Sequence, residues 1–115
     1  MSLERRASYR IIYPQEARPV FVCDGASYAV SDVSEHGLRV EVRPEGPAGL
    51  GDDVEGTVRF RSGSELKIEG TIVRVFDGWA ALRLAERLPF ATVIAEQRFL
   101  RSRYPMWGRE PNDDG

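Results

Sequence analysis

Two short polar segments hold the residues of this chain that could bind an anionic ligand. The first, Arg5-Arg6-Ala7-Ser8-Tyr9-Arg10, carries three arginines, and guanidinium groups bind phosphate bidentately and stack on flat rings. The second, Asp32-Val33-Ser34-Glu35-His36-Gly37, offers an acceptor carboxylate, a hydroxyl and a glycine that lets a ligand approach the backbone. Together the two segments predict a site for an anionic ligand that carries bases.

Both segments also have simpler interpretations. The Arg-x-x-x-Arg spacing of Arg6 and Arg10 has no predictive value by itself, because it recurs at Arg39 and Arg43 and at Arg83 and Arg87. Arginines on strands usually decorate a solvated face, and the first segment could be an ordinary basic arm. In the second segment, Asp32 and Ser34 could bond to the local backbone of a turn. That interpretation leaves the neighbouring arginine-rich segment unexplained, so we favour a binding site.

The composition indicates an ordinary globular domain and limits the classes of partner. The chain has 115 residues, of which 42% are hydrophobic and 30% charged, which suffices for one domain with a single core. The formal net charge of -2 argues against a protein that coats DNA or RNA, because that mode relies on many neutralised phosphates. A local basic site remains compatible with this balance.

Residues for metal binding, covalent catalysis or membrane insertion are scarce. The chain has one cysteine, Cys23, and one histidine, His36, so neither an intramolecular disulfide nor a Cys/His metal cluster is expected. Without a nucleophile and base pair or a phosphate-binding glycine loop, we expect no enzyme activity and no cofactor. There is no apolar run of membrane-spanning length and no signal peptide, which predicts a cytoplasmic protein without membrane insertion.

The elements that must position the two polar segments are short β-strands. Alternating patterns predict strands at about residues 17–24, 27–31, 38–43, 54–60, 65–76 and 80–84. Turn signals follow at Asp24-Gly25, Ser62-Gly63 and Asp77-Gly78. The adjacent Ile72-Val73 breaks the alternation and predicts a β-bulge or bend near Gly70. Six short strands favour a closed antiparallel barrel, because closure removes exposed strand edges.

A single helix is expected after the strands, over residues 89–104. Pro89 suits the first helical position and Pro105 enforces an end. A helical stripe predicts the face that packs on the barrel: Phe90, Val93, Ile94, Gln97 and Leu100. The chain is therefore expected to be one domain dominated by β-structure, with a flexible arm at 1–14, a barrel at 15–88 and a disordered tail at 105–115.

In their order and context, the two polar segments resemble the PilZ domain, a bacterial receptor module for cyclic di-GMP. The segment Arg5 to Arg10 precedes the first predicted strand, and the segment Asp32 to Gly37 follows the second. The resemblance extends to the strand order and the terminal helix, over about residues 4–103. It implies a six-stranded antiparallel PilZ-type barrel with one C-terminal helix and with the nucleotide held at the barrel's mouth.

The resemblance also implies a role for each motif residue. Arg6 and Arg10 would grip phosphates and the guanine O6/N7 edge, which agrees with the general preference of arginine for guanine acceptors. Asp32 would accept hydrogen bonds from guanine N–H groups, and Ser34 would bond to the nucleotide. Gly37 would let the backbone pass close to the ligand.

The implied function is that of a stand-alone receptor. Cyclic di-GMP would draw the arginine arm onto the barrel, and an effector protein controlling motility, biofilm or exopolysaccharide would read the changed surface. Arg5 would help to hold a second nucleotide of an intercalated pair. The expected partners are therefore cyclic di-GMP and an effector but not DNA or RNA, with the chain a monomer or weak homodimer. The alternatives are a PilZ-like protein-interaction module that uses no nucleotide, and a binder of single-stranded nucleic acid.

Overall fold

Seven antiparallel strands and one α-helix form the described part of the chain, residues 9–42 and 49–107 of a computed structural model. The strands are β1 (Arg10–Ile12), β2 (Val20–Cys23), β3 (Ala26–Ser34), β4 (Gly37–Glu41), β5 (Asp53–Arg59), β6 (Glu65–Phe76) and β7 (Trp79–Leu84). A single-turn 3₁₀ helix, Gln15–Ala17, separates β1 from β2, and the α-helix α1 is Phe90–Arg103.

Strands β2 to β7 close into a barrel. Around the ring the order is β3-β2-β5-β6-β7-β4, and pairing of β4 with β3 closes it. Strand β1 pairs with the C-terminal part of β3. It lies along the same edge of β3 as β2, which pairs with the N-terminal part of that strand. The predicted six-stranded antiparallel barrel with one helix is therefore confirmed, and β1 is a short addition to it.

Strand β1 lies within the segment that the sequence predicts to be a flexible arm. Its Ile11 and the following Tyr13 are buried, with exposures of 1% and 3%. Two inward side chains are too few for periodicity to reveal a strand, yet their burial and the ladder with β3 attach this segment to the barrel. Within the segment predicted as a flexible arm, residues 10–12 are therefore a strand paired with β3, while Arg5 and Arg6 lie outside the described residues.

The hydrophobic core consists of side chains that point into the barrel from alternate positions of the strands. The Asp24-Gly25 turn joins β2 to β3 with φ values of 53° and 79°, as a two-residue hairpin turn requires at both central positions. Cys23, before this turn, is buried. The other buried strand residues include Phe21, Val30, Val33, Leu38, Val40, Val58, Ile68, Ile72, Ala80, Leu82 and Leu84.

Two β-bulges bend the sheet. The pairing of β6 with β7 shifts between Ile72 and Arg74, beyond Gly70, which is still in regular register. The predicted bend therefore lies at Val73, where the sequence alternation itself breaks. A second shift, between Val30 and Asp32, affects the pairing of β3 with β4. Because a bulge sets two residues against one and re-aims a side chain, this second bulge bears on the motif residue Asp32.

Helix α1 packs on the barrel through Val93, Glu96 and Leu100, which are buried. Phe90, predicted to face the barrel, is instead 77% exposed because it starts the helix at the edge of the contact. A glutamate in the buried stripe was not predicted. Neither α1 nor any other helix of the described residues is long and apolar enough to cross a membrane.

After α1, the chain turns back towards β1. The indole N–H of Trp107 donates to the carbonyl oxygen of Ile12 at 2.8 Å, and the Arg101 guanidinium lies 6.0 Å from the Trp107 ring centroid. Trp107 of the predicted tail therefore contacts β1, and residues 108–115 of that tail lie outside the described residues.

Candidate functional site

Motif residues Asp32 and Ser34 belong to strand β3 and are not in a loop. Ser34 ends β3 and pairs with Gly37, which starts β4. Only Glu35 and His36 form the turn between the strands. The segment Asp32 to Gly37, in which Asp32 and Ser34 could have belonged to a turn, is therefore mostly strand, because the pairing of β3 with β4 continues as far as Ser34 and Gly37.

Arg10, Ser34 and Gly37 lie side by side on the outer face of the barrel. Arg10 pairs with Ser34, and Ser34 pairs with Gly37. Directly paired residues share a face of the sheet, and the neighbouring Ile11 and Val33 point inwards, each only 1% exposed. With strands about 4.8 Å apart, Ser34 separates Arg10 from Gly37 by roughly 10 Å between the two outer backbones.

The same row continues to Arg83 of β7, which pairs with Gly37. Arg83 is exposed, and no side-chain hydrogen bond or ion pair joins its guanidinium group to another described residue. A Cβ atom on Gly37 would lie 2.8 Å from the carbonyl oxygen of Leu82, so β7 approaches too closely for a side chain there. The space between the Ser34 hydroxyl and the Arg83 guanidinium is consequently left free of a side chain at Gly37.

Asp32 lies in the adjacent row, between Ile12 of β1 and Arg39 of β4. Its side chain is 12% exposed, and the Nε atom of Arg39 lies 4.0 Å from its Oδ1 atom. At the β3 bulge, the hydroxyl of Ser31 donates to Oδ2 at 3.1 Å. A carboxylate offers about four acceptor positions, so Asp32 keeps capacity for further donors at the outer surface.

Arg39 stacks on Trp79, and this stack continues along the β6–β7 hairpin. The Arg39 guanidinium carbon is 4.5 Å from the Trp79 ring centroid. Phe76 stacks on Trp79 with centroids 4.2 Å apart and planes inclined by 22°, and Arg74 lies 5.7 Å from the Phe76 centroid. Trp79 therefore packs against Arg39 and Phe76 on the outer surface next to the motif.

Hydrogen bonds to Glu35 connect the turn between β3 and β4 with the segment between β7 and α1. Its Oε2 atom accepts a hydrogen bond from Arg87 Nη1 at 2.8 Å, and its side chain is 14% exposed. The backbone carbonyls of Glu35 and His36 accept from the N–H groups of Leu88 and Leu84 at 3.1 and 2.7 Å. His36 itself is largely exposed, as expected for a lone histidine in a turn.

Tyr9 lies next to this group, immediately before β1. Its hydroxyl is buried and has no hydrogen-bond partner among the described residues. Burial raises the pKa of Tyr9 to about 12, with a further contribution from Glu35 and an opposing one from Arg87. The Tyr9 side chain is therefore a neutral phenol beside the motif residues.

Sequence reasoning missed Arg39 and Arg83 as site residues. Their spacing resembles that of solvated strand arginines, and they join the site only because β4 pairs with both β3 and β7. The single signal in the sequence is alternation: Arg39 follows Gly37 by two positions and so shares its face.

Other kinds of site find less support in the described residues. They hold no group of three or more His, Cys, Asp and Glu side chains that could bind a metal. An open groove of about 490 Å³ lies between β5, β6 and the segment 85–89, and none of the described motif residues lines it. The outer face of β1, β3, β4 and β7 has the acceptor carboxylate of Asp32 beside a row that ends in the exposed cations Arg10 and Arg83, and it is suited to an anionic ligand with hydrogen-bond donors.

Comparisons with known proteins agree with this fold. The family model of the PilZ domain matches residues 4–99. A solved structure, the Bacillus subtilis inhibitor of motility MotI/DgrA, superposes with a TM-score of 0.62 at 15% identity and covers 86% of this chain. The alignment spans 51% of MotI/DgrA, about half of that chain, and at this identity it shows a shared fold alone. No curated protein matches this sequence. Since the family model covers most of the chain and the strands close the corresponding barrel, this chain belongs to the PilZ domain family.

Proposed function

We propose that this chain is a non-enzymatic receptor that binds cyclic di-GMP on the outer face of β1, β3, β4 and β7. The observation that carries the proposal is the alignment of Arg10, Ser34 and Gly37 across three strands, with Asp32 in the adjacent row. These are the residues that the resemblance to PilZ domains relates to cyclic di-GMP. Their placement on one exposed face is what simultaneous contact with one ligand requires.

Each residue suits a different part of the nucleotide. Arg10 binds phosphate, together with Arg5 and Arg6, which lie outside the described residues. Asp32 accepts from the N1–H and N2–H groups of guanine, because an ionised carboxylate only accepts hydrogen bonds. The Ser34 hydroxyl bonds to the nucleotide.

Gly37 lets the ligand lie close to the backbone of β4. Arg83 adds a cation on the far side of Gly37, where a second phosphate of the cyclic ligand would meet it. The two exposed arginines, Arg10 and Arg83, flank the row at roughly 14 Å between backbones, given about 4.8 Å per strand. Both side chains are long enough to reach inwards over a ligand seated between them.

The signal passes to an effector protein through the elements that hold the site. Backbone hydrogen bonds connect the Glu35-His36 turn with Leu84 and Leu88, immediately before α1. Beyond β1, the Tyr13 hydroxyl reaches Glu96 of α1. A ligand that binds better to one arrangement of β1 and the turn shifts the population towards that arrangement. The effector, which would control motility, biofilm or exopolysaccharide, then reads the surface around α1.

Isothermal titration calorimetry with cyclic di-GMP tests the proposal. Wild type should bind, and Arg10→Ala and Asp32→Ala should each bind at least about tenfold more weakly, a loss of about 1.4 kcal/mol. Arg59→Ala is the matched control, because Arg59 is an exposed strand arginine whose partner is Glu65, 3.2 Å away on β6. Circular dichroism should show the same fold in every variant. Absence of wild-type binding at roughly tens of micromolar would reject the proposal, since phosphate and base contacts together should exceed about 6 kcal/mol.

A second candidate is a protein-interaction module that uses no nucleotide. Three apolar residues of β6, Val73, Val75 and Phe76, are 39%, 52% and 37% exposed, and exposed apolar patches often mark interaction sites. Under this alternative, Val75→Asp would abolish capture of the effector in the absence of cyclic di-GMP. Capture that requires the nucleotide would favour the receptor instead.

A further inference from the structure

We infer that Arg39 is a positioning residue for recognition of the guanine base: it holds the Asp32 carboxylate in the orientation that accepts from the guanine edge. The inference rests on the proposed binding of cyclic di-GMP. It assigns a role to an arginine that lies outside both polar segments of the sequence.

The two oxygens of Asp32 have different neighbours that fix the plane of the carboxylate. Oδ2 accepts from the Ser31 hydroxyl at 3.1 Å, and Oδ1 faces the Nε atom of Arg39 at 4.0 Å. With side-chain exposures of 12% for Asp32 and 33% for Arg39, the pair is less screened by solvent than a surface ion pair. At 4.0 Å the arginine attracts Oδ1 without a direct hydrogen bond, so the acceptor positions of Oδ1 remain available to a base.

Trp79 fixes Arg39 from the other side. The guanidinium lies 4.5 Å from the indole centroid, and Phe76 stacks on the same indole at 4.2 Å. A planar guanidinium stacks on an aromatic ring in a defined orientation, which a lysine ammonium cannot reproduce. The stack therefore determines where Arg39 sits, and Arg39 determines how Asp32 is oriented.

The other described arginines of this face have different surroundings. Arg10 and Arg83 are exposed, and no side-chain hydrogen bond or ion pair joins either guanidinium group to a described residue, so both can turn towards phosphate. Arg39 is engaged on one face by Trp79 and directed by its Nε edge towards Asp32. Arg39 should therefore affect the affinity through recognition of the base, whereas Arg10 should affect it through contact with the phosphates.

This difference can be measured with two ligands that share their phosphates. Cyclic di-IMP, the inosine analogue, lacks the exocyclic amino group of guanine and so offers Asp32 one donor fewer. Dissociation constants for both ligands would be measured for wild type, Arg39→Ala, Asp32→Asn and Arg10→Ala. Arg59→Ala again serves as the matched control.

Wild type should prefer cyclic di-GMP, and Arg39→Ala should reduce this preference by about tenfold, a coupling of about 1.4 kcal/mol. Asp32→Asn should reduce it similarly, and adding Arg39→Ala to Asp32→Asn should reduce it no further. Arg39→Lys should restore part of the preference through its charge. Arg10→Ala should weaken binding of both ligands equally, leaving the preference unchanged.

An equal loss for both ligands in Arg39→Ala would identify Arg39 as a phosphate contact and overturn the inference, as would unchanged binding. If wild type bound neither ligand, the proposed function itself would be rejected.

A measurement without ligand tests the stack of Arg39 on Trp79 independently of nucleotide binding. In a Trp107→Phe background, where Trp79 is the remaining tryptophan, Arg39→Ala should change the indole emission while circular dichroism stays the same. Unchanged emission would show that the stack does not hold Arg39.

Discussion

Replacing Tyr13 with phenylalanine tests the hydrogen bond that joins the residue following β1 to helix α1. The Tyr13 hydroxyl donates to Oε1 of Glu96 at 2.8 Å, and the Ser62 hydroxyl donates to Oε2 at 2.6 Å. Glu96 is only 1% exposed, and no Lys, Arg or His of the described residues forms an ion pair with it. Its two oxygens thus depend on two hydroxyl donors from different parts of the barrel.

Tyr13→Phe removes one of these donors and little else. Burial, and then the neighbouring Glu96, raises the pKa of Tyr13 well above its usual range, so the phenol is neutral and donates at ordinary pH. A hydrogen bond to a charged group contributes about 1.5–3 kcal/mol, which is a large part of a total stability of about 5–15 kcal/mol. We therefore expect the free energy of unfolding to fall by about 2 kcal/mol.

Urea unfolding followed by tryptophan emission measures this loss. With a slope of about 1–3 kcal/mol per molar urea, the midpoint should fall by about 1 M. Tyr104→Phe is the control, because that half-buried tyrosine makes no side-chain hydrogen bond to a described residue. The variant Tyr13→Phe/Ser62→Ala/Glu96→Met replaces the whole polar group and should recover stability, as replacement of buried charges by apolar residues often does. A change below about 0.5 kcal/mol in Tyr13→Phe, the size of an ordinary surface substitution, would refute this reasoning.

Three further predictions concern the site and its borders. Gly37→Ala should lower both the thermal midpoint and the affinity for cyclic di-GMP, because its Cβ would lie 2.8 Å from the Leu82 carbonyl oxygen; an unaltered midpoint would contradict this. Since the pKa of Tyr9 rises from 10.0 to about 12 on folding, its contribution to stability is complete below pH 10 and should be lost as the pH rises to about 12. Tyr9→Phe should lessen that alkaline loss in pH-dependent urea unfolding, and an identical loss in both proteins would count against it. Trp107→Phe removes the donor to the Ile12 carbonyl and should accelerate hydrogen exchange in β1, whereas unchanged exchange rates would show that this contact does not protect the strand.

Local patterns were sufficient to predict most of the barrel. Alternation of apolar and polar residues identifies the strands, and the Asp24-Gly25 signal predicts a turn with positive φ, which is observed. Pro89 and Pro105 bound the helix to within about one residue of its observed ends, a usual margin for such assignments. These features depend on residues that are neighbours in sequence, so the amino-acid sequence by itself determines them.

Which residues come together in the site, in contrast, depends on strand register. Arg83 joins the motif because it pairs with Gly37, and Arg39 faces Asp32 because the β3 bulge shifts their pairing. Burial of Glu96 depends likewise on two hydroxyls that are 83 and 34 residues away in sequence. The period-two pattern of a strand shows which residues share a face, but it does not show which residues of another strand lie opposite. The sequence alone therefore determined the strands and the two polar segments, whereas closure of the barrel decided which arginines accompany them.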